Sequence, residues 1–325
     1  MSSLDAWYEE YGLNSRETAR VAQLELARED PRIYSLENDL AMPTVPFHKE
    51  FPGRHIQAGI AESDLMGMAA GLAMRGKVPY VNTFATFAVA RACEQLRLDL
   101  AYNRAGVKVV GYYAGLSGGM AGPTHHSTED IAITRAIPDL TVLSPADSYE
   151  AYRAVKAAAR HDGPVYIRAG RAATPRVHRE DYEFIIGKAV KLRQGEEVTI
   201  FATGCLMVAE AQRAAELLAT DGVECTVYDV HTLKPFDEEA VIEAAGSSRL
   251  LVTLEDHSVL GGLGSAVACT ALEHRPRPVL RFGVPDTFCT AVAEYEDLPG
   301  LYGFGAEDVR QGVTKWLRQN PSLSR

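Results

Sequence analysis

Val78-Pro79-Tyr80-Val81 and Val107-Lys108-Val109-Val110-Gly111-Tyr112 are two apolar runs separated by residues 87–102, whose apolar side chains recur at helical spacing. A strand–helix–strand unit of this kind pairs its strands in parallel, because the crossover helix returns the chain to the same end of the sheet. Outward from it, Ile33-Tyr34-Ser35-Leu36, Thr141-Val142-Leu143 and Val165-Tyr166-Ile167 read as further strands. Residues 63–75 and 148–160 read as the intervening helices, with Gly76 stopping the first. Asn14 followed three residues later by Glu17 predicts a capping box for a helix running toward residue 28. Basic, irregular residues 170–195 predict a linker. A second alternating series follows: strands Val198-Thr199-Ile200-Phe201, Cys225-Thr226-Val227-Tyr228 and Leu250-Leu251-Val252-Thr253, with helices near 206–219, 237–245, 263–273 and 306–318. The expected architecture is α/β: two doubly wound open-sheet domains, residues 1–185 with the linker and residues 186–325.

Composition narrows the function. The chain has 325 residues, 46% hydrophobic and 23% charged, the balance of a globular protein. Its net charge of −10 argues against a broad nucleic-acid surface. No apolar run is long enough for a transmembrane helix, and the start, MSSLDAWYEEYG, is acidic where a signal peptide is basic. Five scattered cysteines without a CxxC pair point to reduced thiols and a cytoplasmic location.

Four loops at strand ends carry candidate chemistry. Glu62 begins an apolar helix, where a carboxylate also simply complements the helix dipole. Thr83-Phe84-Ala85-Thr86-Phe87 sets two aromatics just past a strand. A glycine-rich run, residues 115–123, leads into Thr124-His125-His126. It matches no nucleotide-binding pattern, and adjacent histidines diverge too far to share a metal. Tyr166-Ile167-Arg168-Ala169-Gly170-Arg171 places cations at a strand's end.

These segments, together with Asp39-Leu40-Ala41, FPGRHIQAGIAESD, AAGLAMRGKVPYVNTFATF, AGPTHHSTEDIAITRAIPDLTVLSPAD, ATGCLMVAEA, VYDVHTLKPFD and VTLEDHSVLGGLGSAVA, resemble the transketolase family of thiamine-diphosphate enzymes. The resemblance covers nearly the whole chain. It is to the C-terminal subunit of split, two-component transketolases: a pyrimidine-binding fold followed by the family's C-terminal domain. It implies an enzyme subunit that transfers a two-carbon ketol unit from a ketose donor to an aldehyde or carrier-bound acceptor.

The resemblance also implies roles. Glu62 would bond ring nitrogen N1′ of the cofactor and drive its activation. Phe87 would stack on the pyrimidine with Phe84 beside it, and Asp39 would belong to the same cofactor site. His125 would face substrate oxygens, with His126 and Tyr113 nearby, and Arg168 would grip a sugar phosphate. The family holds the diphosphate and Mg2+ with a Gly-Asp-Gly motif. This chain has His161-Asp162-Gly163 and Thr220-Asp221-Gly222 instead, so no metal ligands are expected here. The resemblance therefore implies an N-terminal partner subunit that carries the diphosphate-binding domain, in an α2β2 assembly.

Three positions depart from the family's substrate contacts: Ala121 stands for an acidic residue, Tyr113 for a histidine, and Pro43 or Thr44 for a serine. The ordinary pentose-phosphate pair is thus not implied. The alternative reading is the β subunit of a 2-oxo acid dehydrogenase, which would pass an acyl unit to a lipoyl or carrier-protein thiol. A deoxyxylulose-phosphate synthase fragment and a non-catalytic scaffold fit less well.

Overall fold

The computed structural model describes residues 14–40, 45–178 and 182–321; Pro43 and Thr44 lie outside them. Two sheets organise the chain. The first runs in the order β10-β5-β6-β4-β3-β1-β2, from strands β1 (Ile33–Glu37), β2 (His55–Gln57), β3 (Val78–Phe84), β4 (Lys108–Tyr112), β5 (Thr141–Leu143), β6 (Val165–Ala169) and β10 (Thr232–Lys234). All neighbours in it pair in parallel except β10, which is antiparallel to β5. The second runs β12-β11-β8-β9-β7, from β7 (Val190–Arg193), β8 (Val198–Thr203), β9 (Cys225–Asp229), β11 (Leu250–Ser258) and β12 (Val279–Val284). Only β7 is antiparallel there.

The expected doubly wound domains are present, with one addition that periodicity does not reveal. β10 comes from beyond the linker, yet it completes the first sheet. Without it β5 would be an edge strand of three residues with an unpaired row of backbone groups. The two sheets therefore do not divide cleanly at residue 185.

Helices α1 (Ser15–Glu29), α2 (Glu62–Met74), α3 (Asp130–Ala136), α4 (Ser148–Arg160), α5 (Met207–Thr220), α6 (Glu238–Ser247), α7 (Leu263–His274) and α8 (Ala306–Gln319) cover the sheets. At α1, Asn14 caps the backbone N–H of Glu17 as predicted, but the Glu17 carboxylate is engaged by Arg16 and Arg20, so only half of the capping box forms. Gly76 ends the α2 turn at φ +77°, a left-handed conformation that a side chain resists. One apolar cluster runs from Leu65, Val81 and Val109 through Tyr166 to Phe201, Leu251 and Val267, joining the two domains. Each fully buried valine or leucine in it contributes about 1.5–3 kcal/mol.

Residues 87–102 are helical but wound more widely than an α-helix over Phe87–Arg91 and Leu96–Tyr102. Ala92 N–H donates to the Phe87 carbonyl, a five-residue step. Apolar spacing alone does not separate this winding from a regular helix, and such turns concentrate at functional sites. After β6 the linker runs back across the junction. There His178 Nε2 lies 2.7 Å from Asp229 and 3.3 Å from Glu150, all three side chains buried. Among the described residues, no helix is long and apolar enough to cross a membrane.

Candidate active site

Phe84, Phe87 and Tyr113 sit at or just past the carboxyl ends of β3 and β4, where parallel sheets open a crevice. Phe84 ends β3 and Phe87 follows three residues later, their rings edge to face at 5.8 Å. His125 stands perpendicular to Phe84 at 5.2 Å and lies 5.5 Å from Phe87. Tyr113, the residue after β4, packs on Phe84 at 4.7 Å. It does so at φ +59°, a left-handed backbone that is costly for a bulky residue and recurs at functional sites. The result is an aromatic cup with a histidine on its wall. His125 Nδ1 is 2.9 Å from Thr124 Oγ1.

Charged residues stand at two edges of the cup, beside Phe87 and beside Tyr113. Glu62 begins α2 and is almost fully buried at 3% exposure. Its Oε2 accepts from Arg91 Nη1 at 2.7 Å, and the Arg91 guanidinium lies 4.1 Å from the Phe87 ring centre. Arg91 had no role in the sequence reading. Its place four residues after Phe87, which puts the two on one helix face, is the signal that could have found it. At the other rim the guanidinium of exposed Arg171 lies 5.3 Å over Tyr113.

Two expected substrate contacts need correction. Arg168 does not face the cup. It is 2% exposed, donates from Nε to Asp130 at 2.8 Å and from Nη1 to Asp256 at 3.1 Å, and is thereby spent on two buried carboxylates between the domains. On a strand, side chains two residues apart share a face. Tyr166, fully buried, shares Arg168's face and donates to the same Asp130 oxygen at 2.7 Å. His126 is also buried. Its ring turns toward the backbone of Gly119 and Cys289 without completing a hydrogen bond, and burial holds its pKa below the ordinary value. Asp39 is exposed just beyond β1, and among the described residues no hydrogen bond joins it to the cup.

An aminopyrimidine fits what is present. The cup offers flat apolar faces, and Glu62 is a buried carboxylate within reach of a cation at its edge. The diphosphate does not fit this chain in the same way. Among the described residues the one cluster with metal-ligating spacing is Glu150, His178 and Asp229, which lies at the linker and outside the cup.

Known proteins align with this chain along most of its length. The transketolase pyrimidine-binding domain matches residues 12–176, and the transketolase C-terminal domain matches residues 187–309. The 6-deoxy-6-sulfo-D-fructose transketolase subunit SqwH of a Clostridium species is 47% identical over 82% of this chain and 83% of its own length. An apulose-4-phosphate transketolase subunit of Phocaeicola vulgatus is 41% identical over 81% of this chain and 85% of its own. A solved split-gene transketolase, described as an inactive β4 tetramer, superposes with a TM-score of 0.88 at 41% identity, covering 96% of this chain and 100% of that one. These relatives are transketolase subunits, so the 2-oxo acid dehydrogenase reading is not favoured. The chain belongs to the transketolase family of thiamine-diphosphate-dependent enzymes, as a subunit of the split, two-component type.

Proposed function

We infer that this subunit seats and activates the pyrimidine end of thiamine diphosphate for ketol transfer, while a partner subunit holds the diphosphate through Mg2+. The observation that carries the reading is the convergence of Glu62, Phe87 and His125 on one cup. Bound there, thiamine diphosphate supplies the nucleophilic carbon that ketol transfer needs. Glu62 would hold a proton at the ring nitrogen, with Arg91 bonded to its other oxygen. Phe87 and Phe84 orient the ring and exclude water. His125 would take the proton from a donor hydroxyl and return it to the oxygen of the acceptor as the carbon–carbon bond is exchanged.

The far end of the substrate meets Arg171, an exposed cation on the rim whose fork of donors suits phosphate or sulfonate. The ketose donor is therefore one with a terminal anion. Sulfo and phosphate groups appear in the substrate names of two relatives. The assembly is read as a cytoplasmic α2β2 heterotetramer.

The test is reconstitution with a diphosphate-domain subunit, thiamine diphosphate and Mg2+, following aldose release. Phosphorylated or sulfonated ketoses should turn over, neutral ketoses weakly, and the isolated chain should take up no cofactor tightly by calorimetry. Acyl transfer from a 2-oxo acid to a lipoyl thiol, with no ketol transfer, would overturn the reading.

A further inference from the structure

Among the described residues no side chain of the cup comes from beyond the linker, yet the second domain grips the loop that carries His125. Gly115 and Ser127 exchange both backbone hydrogen bonds, at 3.0 and 2.9 Å, closing residues 115–127 into a loop with Tyr113 before it and His125 inside. At the closed base, Gly115 adopts φ +60°, and a Cβ added there would lie 1.9 Å from an oxygen of Asp256. The Asp256 carboxylate is thus packed directly against the loop backbone.

Asp256 is itself held from both sides. Its Oδ1 accepts from Arg168, and its Oδ2 accepts from Tyr295 hydroxyl at 2.6 Å. Arg168 also bonds Asp130, three residues past the loop, so one guanidinium ties the loop's exit to the carboxylate at its base. Neighbouring contacts repeat the pattern. Ser258 N–H donates to the Thr128 carbonyl at 2.7 Å, and Ala132 N–H donates to His257 Nε2 at 3.1 Å. At the loop's apex a Cβ on Gly119 would come 2.9 Å from the Ala293 carbonyl oxygen.

We propose that Asp256, held by Arg168 and Tyr295, is a positioning residue that sets the loop carrying His125, with Tyr113 just before it, against Phe84, and that the second domain acts on ketol transfer through it. The proposal rests on the reading of His125 as substrate-facing. The cofactor seat formed by Glu62, Phe87 and Arg91 lies on α2 and on the wide-turned segment after β3, neither of which contacts Asp256 by hydrogen bond. Loosening Asp256 therefore shifts the substrate wall and leaves the cofactor wall in place. A misplacement of about 1 Å at a reacting group can cost roughly 10²-fold in rate.

The experiment uses the assembled enzyme with thiamine diphosphate and Mg2+ and compares Asp256→Asn, Tyr295→Phe and His125→Ala. Asp256→Asn should lower kcat/KM for the ketose by about 10²-fold while cofactor Kd stays within about threefold. Tyr295→Phe removes one hydroxyl, guards against a misfolded Asp256→Asn, and should lower kcat/KM by about fivefold with cofactor Kd again unmoved, near the ~1 kcal/mol net value of one hydrogen bond. Unchanged kcat/KM in a folded variant, or parallel loss of cofactor affinity and turnover, would overturn the proposal. If His125→Ala leaves kcat/KM intact, the reading of His125 fails instead, which separates the two outcomes.

Discussion

Arg168 and Arg171 lie three residues apart, and they serve regions built on opposite electrostatic terms. Around Arg171 the cup is open, and its cations and rings are presented to whatever enters. Around Arg168 the junction is closed, and each charge is answered by Asp130, Asp256 or a tyrosine hydroxyl. A guanidinium in the first setting is available to bind an anion. In the second it cancels two buried carboxylates, and removing it would leave them uncompensated. Chemistry here is assigned to groups at the open cup, on a scaffold whose junction charges are paired with one another.

The sharpest break in that contrast is at Glu62, which sits between the two settings, buried yet paired with half-exposed Arg91. Glu62→Gln should keep fold and assembly but lower turnover by about 10²–10⁴-fold, because an amide cannot share the proton. Steady-state kinetics beside an unchanged unfolding curve would establish this; near-normal turnover would remove the assignment. At the closed region, Arg168→Met should lower stability by about 3–5 kcal/mol in urea unfolding. Adding Asp130→Asn and Asp256→Asn should recover part of that loss. Were Arg168 a substrate contact, its loss would raise KM and leave the unfolding curve alone.

Arg171→Ala reverses the pattern. KM for a phosphorylated or sulfonated ketose should rise by about 10- to 100-fold, the weight of one charge-assisted hydrogen bond at 1.5–3 kcal/mol. Stability should stay within about 0.5 kcal/mol of the parent, as for an exposed side chain. Equal KM values for the variant and the parent would remove Arg171 from the site.

The smallest effect is a pH dependence at the junction. Burial raises Glu255 to about 7, although the backbone N–H groups of Leu263 and Gly264 pull the other way, and burial raises Asp256 to about 6. Both values exceed the unfolded ones, so the stability these groups contribute is fully present below about pH 4 and is lost as pH rises through 6 and 7. His257, depressed to about 4 by burial, contributes in the opposite sense and loses its share as pH falls from about 6.5 through 4. Relative to Glu255→Gln, the parent should therefore lose about 2 kcal/mol between pH 5 and 7.5. A difference between the two that does not change with pH would show that Glu255 does not titrate in this range.

The sequence made the cup legible because its parts sit where residue type and local order carry meaning: aromatics after β3, a glycine-rich loop before His125, a carboxylate opening α2. The double winding was readable for the same reason, since apolar runs and helical spacing alternate through both halves. The direction of a side chain from its strand was harder to read. Arg168 and Arg171 both look like cations at a strand's end, and only the shared face with buried Tyr166 tells them apart. His126 was placed beside His125 by adjacency alone, and the backbone turns it inward. Partners distant in sequence left no local trace. Asp256 meets Gly115 across 141 residues, and β10 reaches β5 from beyond the linker.

The place of β10 bears on how this chain tolerates being cut. A fragment ending near residue 185 would keep the whole cup but strip the cover from β5, leaving a short edge open to strands of other molecules. It would also lose the carboxylate packed under Gly115. The complementary fragment would carry β10 with no sheet to join. Division at the linker would therefore yield two sticky pieces, and the pyrimidine-binding half would need Thr232–Lys234 in trans, or a designed replacement strand, to keep the β5 edge covered.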